Sequence, residues 1–127
     1  MIENKISQKI IAAAIEVHKE LGPGLLESSY EICLAYELRK QGLNIQTQVV
    51  LPVVYKNISL DAGYRIDILI ENKVILEVKS VKTLADIHMA QVLTYLKLKD
   101  LKLGLLINFN CVKVTNGIKR IINGYSE

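Results

Sequence analysis

The chain is poor in large aromatic side chains, in cysteine and in proline. Its 127 residues contain no Trp, one Phe, two Cys and two Pro. A core without Trp has to be built mainly from Ile, Leu and Val, which favours a sheet covered by helices. Cys33 and Cys111 stand alone in the sequence and indicate no disulfide framework. Together with His18 and His88 they lack the close pairing of a zinc site.

Long apolar runs are also missing. None approaches the roughly 18 residues that span a bilayer, and the first ten residues, MIENKISQKI, contain no signal-peptide core. We therefore expect a cytosolic protein. Half of the residues are hydrophobic and 23% are charged, which at this length indicates one globular domain over residues 1–127. The net charge of +3 permits nucleic-acid binding without being the strong basic patch of specialised duplex binders.

The pattern of apolar residues predicts the secondary structure. Helical spacing predicts helices over 5–21, 26–41 and 83–99. β-Prone runs predict strands over 44–55, 64–70, 74–80 and 102–109. We interpret KNISLDAG at 56–63 as a loop, and residues 112–122, with their Asn-Gly turn signal, as a short final hairpin. The order α-α-β-β-β-α-β-β predicts an α/β (α+β) protein with a mixed sheet of about four to five strands flanked by helices.

The stretch GYRIDILIENKVILEVKSV, residues 63–81, places Asp67, Glu77 and Lys79 inside apolar strand runs. Charged side chains are rarely buried unless they are paired or bind something. Side chains alternate along a strand, so the register of this hairpin decides which residues share a face. A two-residue turn at Asn72-Lys73 would separate Asp67 from Glu77. A three-residue loop over 71–73, with Asn72 left-handed, or a one-residue bulge, would put them on the same face.

Carboxylates that share a face suggest one kind of chemistry. Two of them raise each other's pKa, and a divalent cation relieves the repulsion. Mg²⁺ is commonly held by one or two carboxylates with waters and substrate phosphates, and a nearby Lys can hold a water or stabilise developing charge. This is the apparatus of metal-assisted phosphodiester hydrolysis. The structural alternative is that Asp67 pairs with Arg65 or Lys79 while Glu77 is solvated.

Several motifs give the chain a family resemblance. YRIDILIENKVILEVKS resembles the core of the PD-(D/E)xK nuclease superfamily, with an Asp on one strand and Glu-x-Lys on the next. QVLTY at 91–95 resembles the Gln-x-x-x-Tyr motif of its exonuclease-type branch. GLLESSY at 24–30 is similar to the signature of the GxxExxY family, small bacterial proteins assigned to this superfamily. The similarity extends from about residue 6 to 122, and Ile66 stands where the motif name has Pro.

The resemblance implies a metal site and its surroundings. Asp67 and Glu77 would ligate Mg²⁺ or Mn²⁺, with the carbonyl of Val78 as a third ligand. Glu27 would reach in as an outer ligand or a hydrogen-bonding partner. Lys79 would orient the attacking water.

The predicted third helix supplies further candidates. Gln91 and Tyr95 would line the site, with a half-buried structural pair as the alternative. Arg65 and His88 are candidates for binding nucleic acid, although a lone His more often serves packing and local hydrogen bonding.

The resemblance also implies the function. It implies a Mg²⁺-dependent nuclease in which a metal-activated water attacks a phosphodiester, and it favours DNA over RNA as the partner. The alternative is a non-catalytic nucleic-acid or protein interaction module that retains the fold. We expect a homodimer, because so short a chain offers a narrow surface for gripping nucleic acid.

Overall fold

The structure is a computed structural model that describes residues 2–60 and 63–124. Its helices are α1 (Ile2–Leu21), α2 (Glu27–Lys40) and α3 (Asp86–Lys99), with a short 3-10 helix at Val114–Gly117. Its strands are β1 (Ile45–Val50), β2 (Val53–Tyr55), β3 (Ile58–Leu60), β4 (Arg65–Ile70), β5 (Val74–Lys79), β6 (Leu103–Asn108) and β7 (Ile118–Ile122). Within these ranges no helix combines the length and hydropathy that crossing a bilayer requires.

Five strands form the main sheet, in the order β1-β4-β5-β6-β7. All neighbouring pairs are antiparallel except β5 and β6, which run parallel and are connected through α3. A parallel pair needs such a crossover, and a helix is its usual form. The predicted mixed sheet flanked by helices is confirmed, and its strands and the three helices follow the predicted order.

Helices cover both faces of this sheet. On one face α1 and α2 bury Ile10, Leu34 and the even-numbered side chains of β5. On the other face α3 buries Val92 and Leu96 against Leu69 and Ile75. The α3 helix approaches β6 closely at Gly104, where an added Cβ would lie 2.6 Å from Cγ1 of Val92. Glu77 therefore sits on a strand that helices cover from both sides.

The region around residues 53–60 differs from the prediction. The predicted strand over 44–55 is broken at Pro52, and Ile58–Leu60, which we predicted as loop, pairs with Val53–Tyr55 as a separate two-stranded hairpin. The turn at Lys56 adopts a left-handed conformation with φ 53°, without the glycine that usually marks such turns. The last part of the predicted loop, residues 61–62, lies outside the described residues.

The predicted final hairpin is also wrong. The Asn-Gly pair at 116–117 belongs to the 3-10 helix, and β7 adds to the main sheet by pairing Ile118 with Ile107 of β6. Gly117 fits there because it packs directly against the carbonyl of Asn108. The Asn-Gly signal therefore marks a tight turn into an edge strand instead of a hairpin of its own.

Candidate functional site

The β4–β5 hairpin has the register that brings the two carboxylates together. Ile70 pairs with Val74 and Ile68 with Leu76, so the loop has three residues, Glu71 to Lys73. Glu71 and Asn72 are both left-handed, with φ 54°. Continuing this register places Asp67 opposite Glu77, and directly opposed residues of an antiparallel pair point to the same side. The three-residue loop and left-handed Asn72 are confirmed.

The strands separate at Asp67 and Glu77, and the carboxylates bridge the gap. The ladder between β4 and β5 ends at Ile68 and Leu76. Beyond it, the Asp67 N–H donates to Oε2 of Glu77 at 2.7 Å, and the Val78 N–H donates to Oδ2 of Asp67 at 2.8 Å. Each carboxylate thus takes a backbone N–H of the opposite strand. This exchange fixes the orientation of both side chains.

Glu77 carries a strongly perturbed carboxyl group. It is 4% exposed. Burial, and then the negative charge of Asp67, raise the pKa of Glu77 from 4.5 to about 8, while the Asp67 N–H and the positive charge of Lys79 lower it. At neutral pH the free protein therefore keeps a proton on this site instead of two full negative charges.

Two further side chains approach Asp67, and neither was among our predicted site residues. The amide Nε2 of Gln48 lies 2.7 Å from Oε1 of Glu31 and 3.4 Å from Oδ1 of Asp67. Partial burial, and then the charge of Asp67, raise the pKa of Glu31. Glu31 lies four residues before buried Ala35 and seven before buried Leu38, so a carboxylate in an apolar helical stripe was the available signal.

The backbone of Gln48 is unusual for a strand residue. It has φ 51° in the middle of β1. The β1–β4 ladder pairs Thr47 with Ile68 and Val49 with Ile66. The pair that would lie between them, Gln48 with Asp67, is missing from the ladder. A non-glycine residue in this conformation costs roughly 1–2 kcal/mol. Such strain is found preferentially at functional sites, and here it lies directly beside Asp67.

The tyrosine of the motif GLLESSY has a structural role. Tyr30 is fully buried and stacks on Phe109, with ring centroids 4.4 Å apart. Its hydroxyl donates to the carbonyl of Gly22 at 2.6 Å and accepts from the Leu25 N–H. The Ser80 hydroxyl in turn donates to the carbonyl of Leu25. The turn before α2 is thereby fixed to the chain that follows Lys79.

The glutamate of that motif, Glu27, lies one helical turn before Glu31. Glu27 is exposed in the first turn of α2. Among the described residues, the hydrogen bonds of the Asp67 and Glu77 carboxylates go to Val78, Gln48 and Asp67, not to Glu27. Glu31, one helical turn further along, is the α2 carboxylate whose pKa responds to Asp67.

The other face of the site comes from α3. Tyr95 is buried, and burial followed by the charges of Glu77 and Asp67 raises its pKa. The centroid of its ring lies 6.4 Å from the centroid of the Tyr64 ring, and the two ring planes are 66° apart. Gln91 and His88 line a pocket of about 510 Å³ that Lys79 also lines. The structure therefore brings these α3 side chains to the same end of β5 as the carboxylates.

Lys79 is held at the end of β5 by its neighbour on β6. It pairs with Asn108, whose buried amide accepts the Val81 N–H at 3.0 Å and donates to the Val81 carbonyl at 2.9 Å. These bonds fix the chain just beyond Lys79. Arg65, at the start of β4, is exposed, and its guanidinium donates to the carbonyl of Tyr64.

The donor set fits a hard divalent cation held by few protein ligands. Over residues 2–60 and 63–124, no group of three or more His, Cys, Asp or Glu side chains is arranged to hold a metal ion. Mg²⁺ needs only one or two carboxylates beside waters and phosphates. Asp67 and Glu77 supply that number. Burial is the main cause of the raised pKa of Glu77, and the second cause, the negative charge of Asp67, is one that a bound cation would offset.

Comparison with known proteins assigns the chain to a family. Residues 4–121 match the family model described as the PD-(D/E)XK nuclease superfamily. The match covers nearly the whole chain, and the chain belongs to this superfamily. No curated protein and no solved structure matches it significantly.

Proposed function

We propose that this protein is a Mg²⁺-dependent nuclease, with Mn²⁺ as an alternative ion, and that it belongs to the GxxExxY branch of its superfamily. The observation that carries the proposal is the hairpin register, which sets Asp67 opposite Glu77 where the strands part. Superfamily membership supports a nuclease-type activity. DNA is the proposed substrate in preference to RNA.

Asp67 and Glu77 are the proposed metal ligands. A bound Mg²⁺ would supply Lewis-acid stabilisation of phosphate charge and a more acidic water. The Asp67 N–H and Val78 N–H hold the two carboxylates in place, which leaves Oδ1 of Asp67 and Oε1 of Glu77 for the ion. The carbonyl of Val78 and the carboxylate of Glu27 remain proposed additional ligands.

Lys79, Gln91 and Tyr95 are proposed to act on the reacting groups. The Lys79 ammonium lies close enough to Glu77 to lower its pKa. It would orient the attacking water and stabilise charge that develops on the phosphate. Tyr95 and Gln91 line the site from α3 and would donate hydrogen bonds to water or phosphate.

Glu31 and Gln48 are proposed positioning residues. The Gln48 amide lies within contact of both Glu31 and Asp67. It would hold Oδ1 of Asp67 in one orientation, while Glu31 holds the amide. Precise placement of a ligand is worth large factors in rate.

The test is cleavage of labelled DNA and RNA substrates, single-stranded and duplex, with Mg²⁺ and with a chelator. We expect Mg²⁺-dependent cleavage that Asp67→Asn abolishes. Asp100→Asn is the matched control, because Asp100 is an exposed left-handed cap of α3, a conformation that Asn tolerates well. Metal-independent cleavage, or full activity of Asp67→Asn, would refute the nuclease site. Nucleic-acid binding without cleavage even when Mg²⁺ is present would favour the interaction module instead.

A homodimer is proposed as the functional unit, because a second copy would widen the surface that contacts nucleic acid. Light scattering at micromolar protein concentrations tests it. A monomeric mass across that range would contradict it.

A further inference from the structure

The pocket beside the candidate site is lined by both apolar and polar side chains. Its volume is about 510 Å³, within the roughly 300–1,000 Å³ typical of ligand pockets. Val53, Tyr64, Ile87 and Leu98 provide apolar surface, and Lys79, whose charge acts on Glu77, also lines the pocket. The pocket therefore adjoins the place where a phosphate would react.

Three of these side chains are large, apolar in their main surface and exposed to solvent. Ile87 is 71% exposed, Tyr64 46% and Leu98 40%. Exposed apolar surface that is concentrated in a concave site marks binding rather than chance. The Tyr64 ring lies against Tyr95 with the two ring planes 66° apart, which gives the Tyr64 ring a defined orientation.

The polar groups of the pocket are suited to an anion. The imidazole Nδ1 of His88 accepts the Ala85 N–H at 3.0 Å, so Nε2 carries a proton and can donate it to an acceptor. Lys79 adds a positive charge. Among the described residues that line the pocket, none carries a carboxylate. The pocket combines aromatic and aliphatic surface with donors for negative charge.

We infer that this pocket takes an unpaired nucleobase, next to the phosphate that the carboxylate site handles, and that the substrate is therefore single-stranded or has a frayed end. A base offers a flat apolar face, and its phosphate matches Lys79 and His88. In a duplex both faces of an internal base are covered by stacking, so a duplex presents base edges and backbone but no free base face to such a pocket. Stacking on an aromatic side chain is how proteins bind single strands without reading sequence. The inference rests on the proposed nuclease function and specifies its substrate.

The test is binding of one labelled oligonucleotide, as a single strand and as a blunt duplex, measured by fluorescence anisotropy with chelator present. We expect tighter binding of the single strand. Tyr64→Ala should weaken it at least about 5-fold and Tyr64→Phe should retain it, because the ring supplies the stacking face. Tyr36→Ala is the matched control, since Tyr36 is an exposed tyrosine on α2, away from this pocket. Blunt-duplex binding as tight as single-strand binding, or unchanged single-strand affinity in both Tyr64→Ala and Ile87→Ala, would overturn the inference.

Cleavage assays on the same variants separate this inference from the nuclease proposal. Tyr64-dependent single-strand binding in a protein that cleaves nothing would support the pocket and refute the nuclease. Equal cleavage of blunt duplex by wild type and Tyr64→Ala, without preference for a single strand, would support the nuclease and overturn the pocket.

Discussion

The carboxylate of Glu77 accepts the backbone N–H of Asp67, so a side chain takes the place that a strand carbonyl holds in a regular ladder. Asp67 makes the reciprocal contact, because its carboxylate accepts the backbone N–H of Val78 on the opposite strand. The two acidic groups are therefore part of the sheet's hydrogen bonding and of the proposed metal site at once. Changes at either residue are expected to affect stability and metal binding together.

Divalent-metal binding should depend on both carboxylates and release protons. Calorimetry with Mn²⁺ should show binding to the wild type and to Asp100→Asn, and strongly reduced heats for Asp67→Asn and Glu77→Gln. Because burial and the charge of Asp67 raise the pKa of Glu77 to about 8, binding at pH 7 should displace a proton. The measured heat should then vary with the ionisation enthalpy of the buffer. Equal heats from wild type and Asp67→Asn would contradict the site.

Stability without metal should fall as pH rises from about 5 to about 8. The folded-state pKa of Glu77 is about 8 against an ordinary 4.5, so folding favours the protonated form. Its contribution is fully present below pH 4.5 and is lost as pH rises through 8. The upper bound is on the order of 5 kcal/mol, at about 1.4 kcal/mol per pKa unit. Urea unfolding of Glu77→Gln should show a flatter pH profile over this range, and parallel profiles would count against the assignment.

Replacing Lys79 should affect turnover far more than substrate affinity. A group that acts on charge developing in the transition state contributes little to ground-state binding. Single-turnover cleavage by Lys79→Ala should be slowed by about 10²-fold or more if it supplies such stabilisation. Lys82→Ala, an exposed lysine just beyond β5, is the control. Weaker binding with an unchanged cleavage rate would make Lys79 a phosphate anchor instead.

At position 48 glycine should be more stable than alanine, and both substitutions should impair the site. Gln48→Gly should exceed Gln48→Ala in stability by roughly 1 kcal/mol, since only glycine adopts φ 51° without a Cβ penalty. Both variants lose the amide that contacts Asp67 and should cleave more slowly. Lys56→Gly, at the β2–β3 turn with φ 53°, should gain stability with activity intact. A Gln48→Gly protein with full activity would remove Gln48 from the site.

The part of the site that lies within one hairpin could be predicted from sequence. Side chains alternate along a strand, so the loop length, or a one-residue bulge, decided whether Asp67 and Glu77 share a face. The requirement for an odd register followed from those two positions, and the loop from Glu71 to Lys73 meets it. Local rules are sufficient when both partners belong to adjacent strands.

The part that depends on tertiary packing could not be predicted in the same way. Glu31 reaches Asp67 only through the docking of α2 on the sheet, and Gln48 only through a backbone conformation that no propensity favours. The β2–β3 hairpin escaped prediction because its strands are short and mostly exposed and its turn at Lys56 has no glycine. In each case a distant contact or an atypical turn outweighed the local pattern.

The amide protons of Asp67 and Val78 each point directly at a carboxylate oxygen. Their chemical shifts and exchange rates should therefore respond to whatever neutralises those oxygens, whether a proton or a metal ion. The Asp67 resonance should titrate with Glu77, and both resonances should move when Mg²⁺ is added. The amide protons of Asp67 and Val78 can thus serve as two spectroscopic probes of the ionic state of the site, without any label or substrate.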